Sequence, residues 1–166
     1  TAAFLITLIN DLLTNPPSPE RCLGEARAMV LAPTRELALQ IAKDAQQLVK
    51  YTKLRIVTLV GGMDYDRQKQ QLNTDFVDIV VATPGRLIDF VDQQALFLDQ
   101  IEVLVIDEAD RLLDMGFIPA IKKIIRHCPP KSHRQSLFFS ATFNKDVLSL
   151  ADQWLFEAVK VEIESK

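Results

Sequence analysis

At 166 residues, 48% apolar and 25% charged, the chain has the length and composition of one globular domain with a sizeable core, which excludes a disordered tail. A net charge of -3 leaves no bulk basic footprint, so any hold on nucleic acid has to come from a local surface. Cys22 and Cys128 form no paired motif and no signal peptide or membrane span is visible, so a cytoplasmic protein with no membrane partner is the expectation.

Thr1 to Leu13 has helical spacing on a wide apolar face, and Thr1 is no natural start, so the chain reads as a piece of something longer. Thr14 to Glu25, with Asn15, three prolines and Gly24, has the composition of a surface loop. Ala28 to Leu31 predicts a short buried strand. Ala32-Pro33-Thr34-Arg35-Glu36 turns it into a helix carrying Leu37, Ile41, Ala45 and Leu48, with Thr34 placed as its N-cap. Leu54 to Val60 predicts a strand ending at Gly61-Gly62, and Asp64 to Leu72 a polar helix with few inward positions. Val77 to Ala82 is the next strand, stopping at Thr83-Pro84-Gly85-Arg86, where Leu87, Ile88, Phe90 and Val91 restart a helix. Val103 to Ile106 follows, then a helix from Ala109 to Met115 and another from about Ile118 to His127. Leu137 to Phe139 is a strand closed by Ser140-Ala141-Thr142, Asp146 to Trp154 a helix, and Val159 to Ile163 a last strand. His127, Cys128 and His133 invite a metal reading, but a helix end running into Pro129-Pro130 explains them at least as well.

Strands that alternate with helices need crossover connections, which make a parallel sheet with helices on both faces. Every strand of such a sheet ends on one edge. The turns Pro33-Thr34-Arg35, Gly61-Gly62, Thr83-Pro84-Gly85-Arg86, Asp107-Glu108 and Ser140-Ala141-Thr142 are therefore expected to converge there.

The acids have the sharpest chemistry. Val103-Leu104-Val105-Ile106 runs straight into Asp107, Glu108 and Asp110, and carboxylates at the mouth of a buried strand are costly unless a cation or water faces them. A nucleotide-bound magnesium ion meets that need, as in the Walker B arrangement of nucleotide hydrolases. Asp107 would hold the magnesium, partly through water, and Glu108 would orient and deprotonate the attacking water. Taken alone, the triplet is better explained as charge at the positive end of the next helix; the rest of the chain overturns that reading.

Two other turns share a construction, a Thr/Pro pair followed by an arginine at a helix start. Amides, a hydroxyl and a guanidinium placed together make an anion cradle suited to a nucleic-acid backbone. Gly61-Gly62 suits the same purpose by letting a phosphodiester approach the main chain. Each turn alone reads as helix capping or a tight turn; three on one edge make coincidence a poor account. Ser140 and Thr142, at a strand end beside the acids, are placed to bond Asp107 or Asp110 and pass a change at the nucleotide to the anion-binding turns.

Pro33-Thr34-Arg35-Glu36-Leu37-Ala38, Gly61-Gly62, Thr83-Pro84-Gly85-Arg86, Asp107-Glu108-Ala109-Asp110 and Ser140-Ala141-Thr142 stand in the order and spacing of the first RecA-like domain of DEAD-box ATP-dependent RNA helicases, which the chain resembles. Arg111 to Phe117 is also similar to the bacterial branch that contains the RNA-degradosome helicase. The resemblance implies a RecA-like α/β fold of the P-loop NTPase type, with ATP and magnesium as cofactors. Asp107 and Glu108 become the magnesium-positioning and catalytic acids, and Asp110 links the nucleotide site to Ser140 and Thr142. Pro33, Thr34, Arg35, Gly62, Thr83, Gly85 and Arg86 become contacts to the backbone of one RNA strand, with little base specificity. Single-stranded or duplex RNA, a second RecA-like domain and a ribonuclease complex are the partners it implies.

The chain also departs from that family. None of its five glycines is followed by lysine, so the phosphate-binding P-loop and the segment before it are expected to be missing, as is the second RecA-like domain. Thr1-Ala2-Ala3-Phe4 is similar to the residues just after the P-loop lysine, which makes Thr1 the motif's magnesium-binding hydroxyl; a frayed helix start is the rival. The fragment alone is expected neither to hydrolyse ATP at a useful rate nor to unwind RNA. A DNA-directed helicase and a non-catalytic scaffold that recruits partners remain the alternative readings.

Overall fold

The computed structural model describes residues 2–163; Thr1, one of the expected magnesium ligands, lies outside the described residues. In chain order the elements are α1 (Ala2–Thr14), β1 (Ala28–Leu31), α2 (Arg35–Leu48), β2 (Ile56–Leu59), α3 (Tyr65–Thr74), β3 (Ile79–Ala82) and α4 (Pro84–Asp92). They continue with β4 (Val103–Ile106), α5 (Ala109–Asp114), α6 (Ile118–Arg126), β5 (Gln135–Phe138) and α7 (Lys145–Trp154). Local chemistry sets several starts. Thr34 Oγ1 accepts from the Leu37 amide at 3.2 Å, Asp64 Oδ1 from Arg67 at 3.2 Å and Asn144 Oδ1 from Val147 at 3.0 Å, each satisfying an amide that the helix itself leaves unpaired.

The strands form one parallel sheet in the order β2-β3-β1-β4-β5. Val30 of β1 stands opposite Val81 of β3 on one side and Val105 of β4 on the other. Alternate residues along each strand serve opposite faces. Val30, Val81, Val103 and Val105 pack with α1 and α2, whereas Met29, Leu31, Val80, Leu104 and Ile106 pack with apolar residues of α4 to α7. Each central strand is thus buried on both faces, which is why its sequence is a continuous apolar run rather than an alternating one.

The edge where the strands begin is clamped by ions. Asp78, ahead of β3, pairs with Arg21 at 2.9 Å and Arg27 at 3.6 Å and accepts from the Arg55 amide at 2.8 Å. Arg27 also bonds Glu102 at 2.8 Å and donates to the Leu12 carbonyl at 3.2 Å and to the carbonyl of Asn15, tying the end of α1 to the sheet. Buried charge is tolerated there because every member is answered.

One expected element does not form. Residues 155–163 run without regular structure, and Val159, Val161 and Ile163 are 87%, 75% and 90% exposed. Their alternation is a local property, whereas a strand exists only where a neighbour offers its backbone. Among the described residues the sheet stops at β5, which pairs with β4 and has no partner on its other side.

Candidate functional site

The sheet order sorts the turns by chemistry. Across the edge where the strands end lie, from one side to the other, Gly61-Gly62 after β2, Thr83 to Arg86 after β3, Pro33 to Arg35 after β1, the acids after β4 and Ser140 to Thr142 after β5. The glycine and arginine turns therefore occupy three adjacent strand ends, and the acids and hydroxyls the next two. Their boundary falls between β1 and β4, at the place where the chain, having first run outward to β2, turns back across the sheet; such a switch point opens a crevice at the strand ends.

At the mouth of β4, Asp107 Oδ1 accepts from the Glu108 amide at 2.9 Å. Burial pushes the Asp107 carboxyl above its ordinary value, and the Glu108 charge adds to this against the opposing effect of that amide bond. Glu108 itself takes the left-handed conformation, φ 50 and ψ 53, rare for a side chain with a Cβ. Backbone strain of this kind persists where the surroundings over-determine it. Here the Ala109 amide donates to the Phe139 carbonyl at 2.9 Å, and Glu108 begins α5 while its carboxylate stands 3.7 Å from Arg111.

The turn after β5 is bonded to the same corner. The Asp110 amide donates to Ser140 Oγ at 3.2 Å, and Thr142 Oγ1 donates to Asp110 Oδ2 at 3.3 Å. Both hydroxyls thus meet Asp110, one through its main chain and one through its carboxylate.

On the other half, Gly62 has φ +75, and a Cβ there would stand 2.7 Å from Arg35 Nη1, so the Arg35 side chain lies against the glycine turn. Arg86 Nη1 donates to the Met63 carbonyl at 3.1 Å. Two guanidinium groups, from the turns after β1 and β3, therefore contact the loop after β2. Gly61 and Gly85 face open space, with nothing within 4 Å of where a Cβ would be. The two Thr/Pro turns differ in detail: Pro33 precedes its capping threonine, whereas Pro84 follows Thr83, whose side chain makes no cap bond.

All the sequence-derived candidates within the described residues thus lie on one edge, in two groups. Sequence reasoning did not single out Gln68 and Tyr65, which hold Arg86: Gln68 Oε1 accepts from it at 3.2 Å, and the Tyr65 ring centre lies 5.5 Å from its guanidinium. The one signal was Gln68 standing one helical turn before Leu72, at a position that faces the core. At the far end of α6, Cys128 Sγ contacts the Ile124 carbonyl at 3.6 Å, and burial pushes its thiol up to about 11, so it stays protonated at neutral pH. Among the described residues, no group of three or more His, Cys, Asp or Glu side chains is gathered to hold a metal ion unaided.

The doubly wound parallel sheet, with acids at one strand end and hydroxyls at the next, matches a RecA-like domain. The DEAD/DEAH box helicase family model matches residues 1–150, and the chain belongs to that family. It is 58% identical over 164 residues to the ATP-dependent RNA helicase RhlB of Pseudomonas aeruginosa and 45% identical over 163 residues to that of Shewanella baltica. These matches take in 99% and 98% of the chain but only 41% and 37% of the relatives, so the chain spans about two fifths of their length. The crystal structure of the yeast DEAD-box splicing factor Prp28 superposes with a TM-score of 0.85 at 32% identity, covering 98% of this chain and 39% of that one.

Proposed function

We propose that the polypeptide carrying this chain is an ATP-dependent RNA helicase, in which this domain holds Mg-ATP at Asp107, Glu108 and Asp110 and grips the backbone of one RNA strand at the neighbouring turns. The observation that carries the reading is the lateral order of the edge, which sets the acids of β4 beside the arginine turn of β1. A ligand spanning that boundary senses both groups. The names of the RhlB relatives support ATP and RNA as the ligands.

The donor set fits magnesium. This ion takes hard oxygen donors, keeps several waters and is usually held by one or two carboxylates together with substrate phosphates. A half-buried carboxyl such as Asp107, whose ionisation is opposed by burial, is relieved by a cation. Magnesium would supply charge neutralisation on the nucleotide phosphates. Glu108, its backbone held at the start of α5, would accept the proton of the attacking water.

Gly61 and Gly85 leave room for a sugar-phosphate chain, Gly62 lets Arg35 lie against the turn, and Arg35 and Arg86 give the surface charge. Contacts of this kind position a strand without reading bases. A second RecA-like domain would close on this edge, and a cytoplasmic ribonuclease complex is the protein partner we expect from the degradosome-branch resemblance of residues 111–117; co-purification with the tagged gene product checks it.

The test is ATP hydrolysis by the whole gene product with single-stranded RNA, single-stranded DNA or neither, beside its Glu108→Gln variant. Turnover stimulated by RNA and abolished by the substitution is expected. Equal stimulation by DNA would move the assignment to a general nucleic-acid translocase, and function retained without any turnover would favour a scaffold.

A further inference from the structure

Among the described residues the buried polar or charged side chains are Arg27, Asp78 and Gln68. Arg27 and Asp78 answer each other at the edge where the strands begin. Gln68 is different: it is 6% exposed, lies at the functional edge, and shares with Leu72 the buried face of the otherwise polar α3. A leucine would fill that space without the cost of desolvating an amide. The amide is used at both ends. Its Nε2 donates to the Val60 carbonyl at 3.1 Å, just before Gly61-Gly62, and its Oε1 accepts from Arg86 Nη1 at 3.2 Å.

One buried side chain thus joins the turn after β2 to the turn after β3. The same Arg86 nitrogen also donates to the Met63 carbonyl, and Tyr65, stacked on Phe90 of α4 with ring centres 4.5 Å apart, presents its face to the guanidinium. Both hydrogen bonds fall on Nη1, so they fix the group's orientation without consuming its charge. A long side chain ordered in advance loses less rotamer entropy when it binds an anion.

We propose that Gln68 is a positioning residue that holds Arg86 in register with Gly61-Gly62, so that the two turns present one preorganised phosphate-binding surface. This rests on the reading of the edge as the RNA site. Methionine is close to glutamine in shape and offers neither amide group, while leaving every charge in place.

The experiment measures the affinity of the whole gene product for a fluorescein-labelled single-stranded oligouridylate in a cycle of Gln68→Met, Arg86→Ala and the double variant. Gln68→Met is expected to weaken binding roughly threefold to tenfold when Arg86 is present, and by less than about twofold when it is absent. It is also expected to lower the slope of log affinity against log salt by up to about 1, because a phosphate contact is lost with no change in charge. A role in folding alone would lower affinity equally in both backgrounds, and that result overturns the proposal. If Arg86→Ala weakens binding while Gln68→Met changes nothing, the positioning role fails and the RNA reading stands; if Arg86→Ala has no effect, both fall. Should Gln68→Met fail to fold, Gln68→Leu takes its place in the cycle.

Discussion

Thr142 Oγ1 donates to Asp110 Oδ2 at 3.3 Å, so the turn that ends β5 is bonded to the helix that begins at the acids of β4. Ser140 makes the companion contact to the Asp110 amide. Because Thr142 is exposed, its bond contributes little to stability, on the order of 1 kcal/mol or less. Replacing Ser140 and Thr142 by alanine is expected to leave RNA-stimulated ATP hydrolysis largely in place and to abolish duplex separation in a strand-displacement assay. A parallel fall in both activities would remove the coupling role.

Gly62 and Gly85 make a matched pair of tests. At Gly62 a methyl group meets Arg35 Nη1 at 2.7 Å and the backbone is left-handed, so Gly62→Ala is expected to cost roughly 1 kcal/mol of stability and to displace Arg35. Gly85→Ala meets nothing within 4 Å, and its stability is expected to stay within about 0.5 kcal/mol of the parent. Both variants are expected to bind RNA several-fold more weakly. Thermal unfolding beside anisotropy titration separates steric needs inside the chain from those of a ligand.

The raised proton affinity of Asp107 has a stability consequence with a definite sign. The folded chain holds that proton more tightly than the unfolded chain, so stability from this group is present at low pH and is lost as pH rises through the folded value. Asp107→Asn is therefore expected to be the more stable protein at neutral pH, with the advantage shrinking as pH falls through the raised folded value and gone once pH is below the unfolded value of about 4. Urea unfolding of both proteins across that range checks it. Hydrolysis by the variant is expected to be lost, which would make Asp107 a place where function is kept against stability.

Arg27 is expected to be the most sensitive charge in the chain. It is 4% exposed and bonds Asp78, Glu102 and the last turn of α1, so Arg27→Met leaves Asp78, itself 3% exposed, short of one partner. A loss of about 3 to 5 kcal/mol is expected by chemical denaturation. Removal of the exposed pair between Lys123 and Asp92, 3.0 Å apart, is expected to cost less than about 1 kcal/mol.

Strand and helix order, the N-cap at Thr34 and the convergence of five turns on one edge were legible in the residues, because apolar runs, caps and glycine or proline punctuation are local signals. Burial on both faces of β1, β3 and β4 followed from the same runs. Val159 to Ile163 shows where that reasoning fails. Its alternation has the pattern of a strand, yet pairing is a relation between segments far apart in sequence, and the described structure gives it no neighbour.

The sequence by itself determined which chemical groups lie at strand ends, since a parallel sheet sends every strand end to one edge. Only the tertiary structure decided which of them are neighbours. Strand order depends on the face on which each connecting helix packs, and the near-universal right-handed crossover turns that choice into a direction across the sheet. That is how Arg35 comes to lie against Gly62, from a turn two strands away in the sheet, and how Gln68 comes to hold Arg86. The left-handed Glu108 was equally out of reach of the residues, because a strained backbone is imposed by packing around it and no local preference announces it.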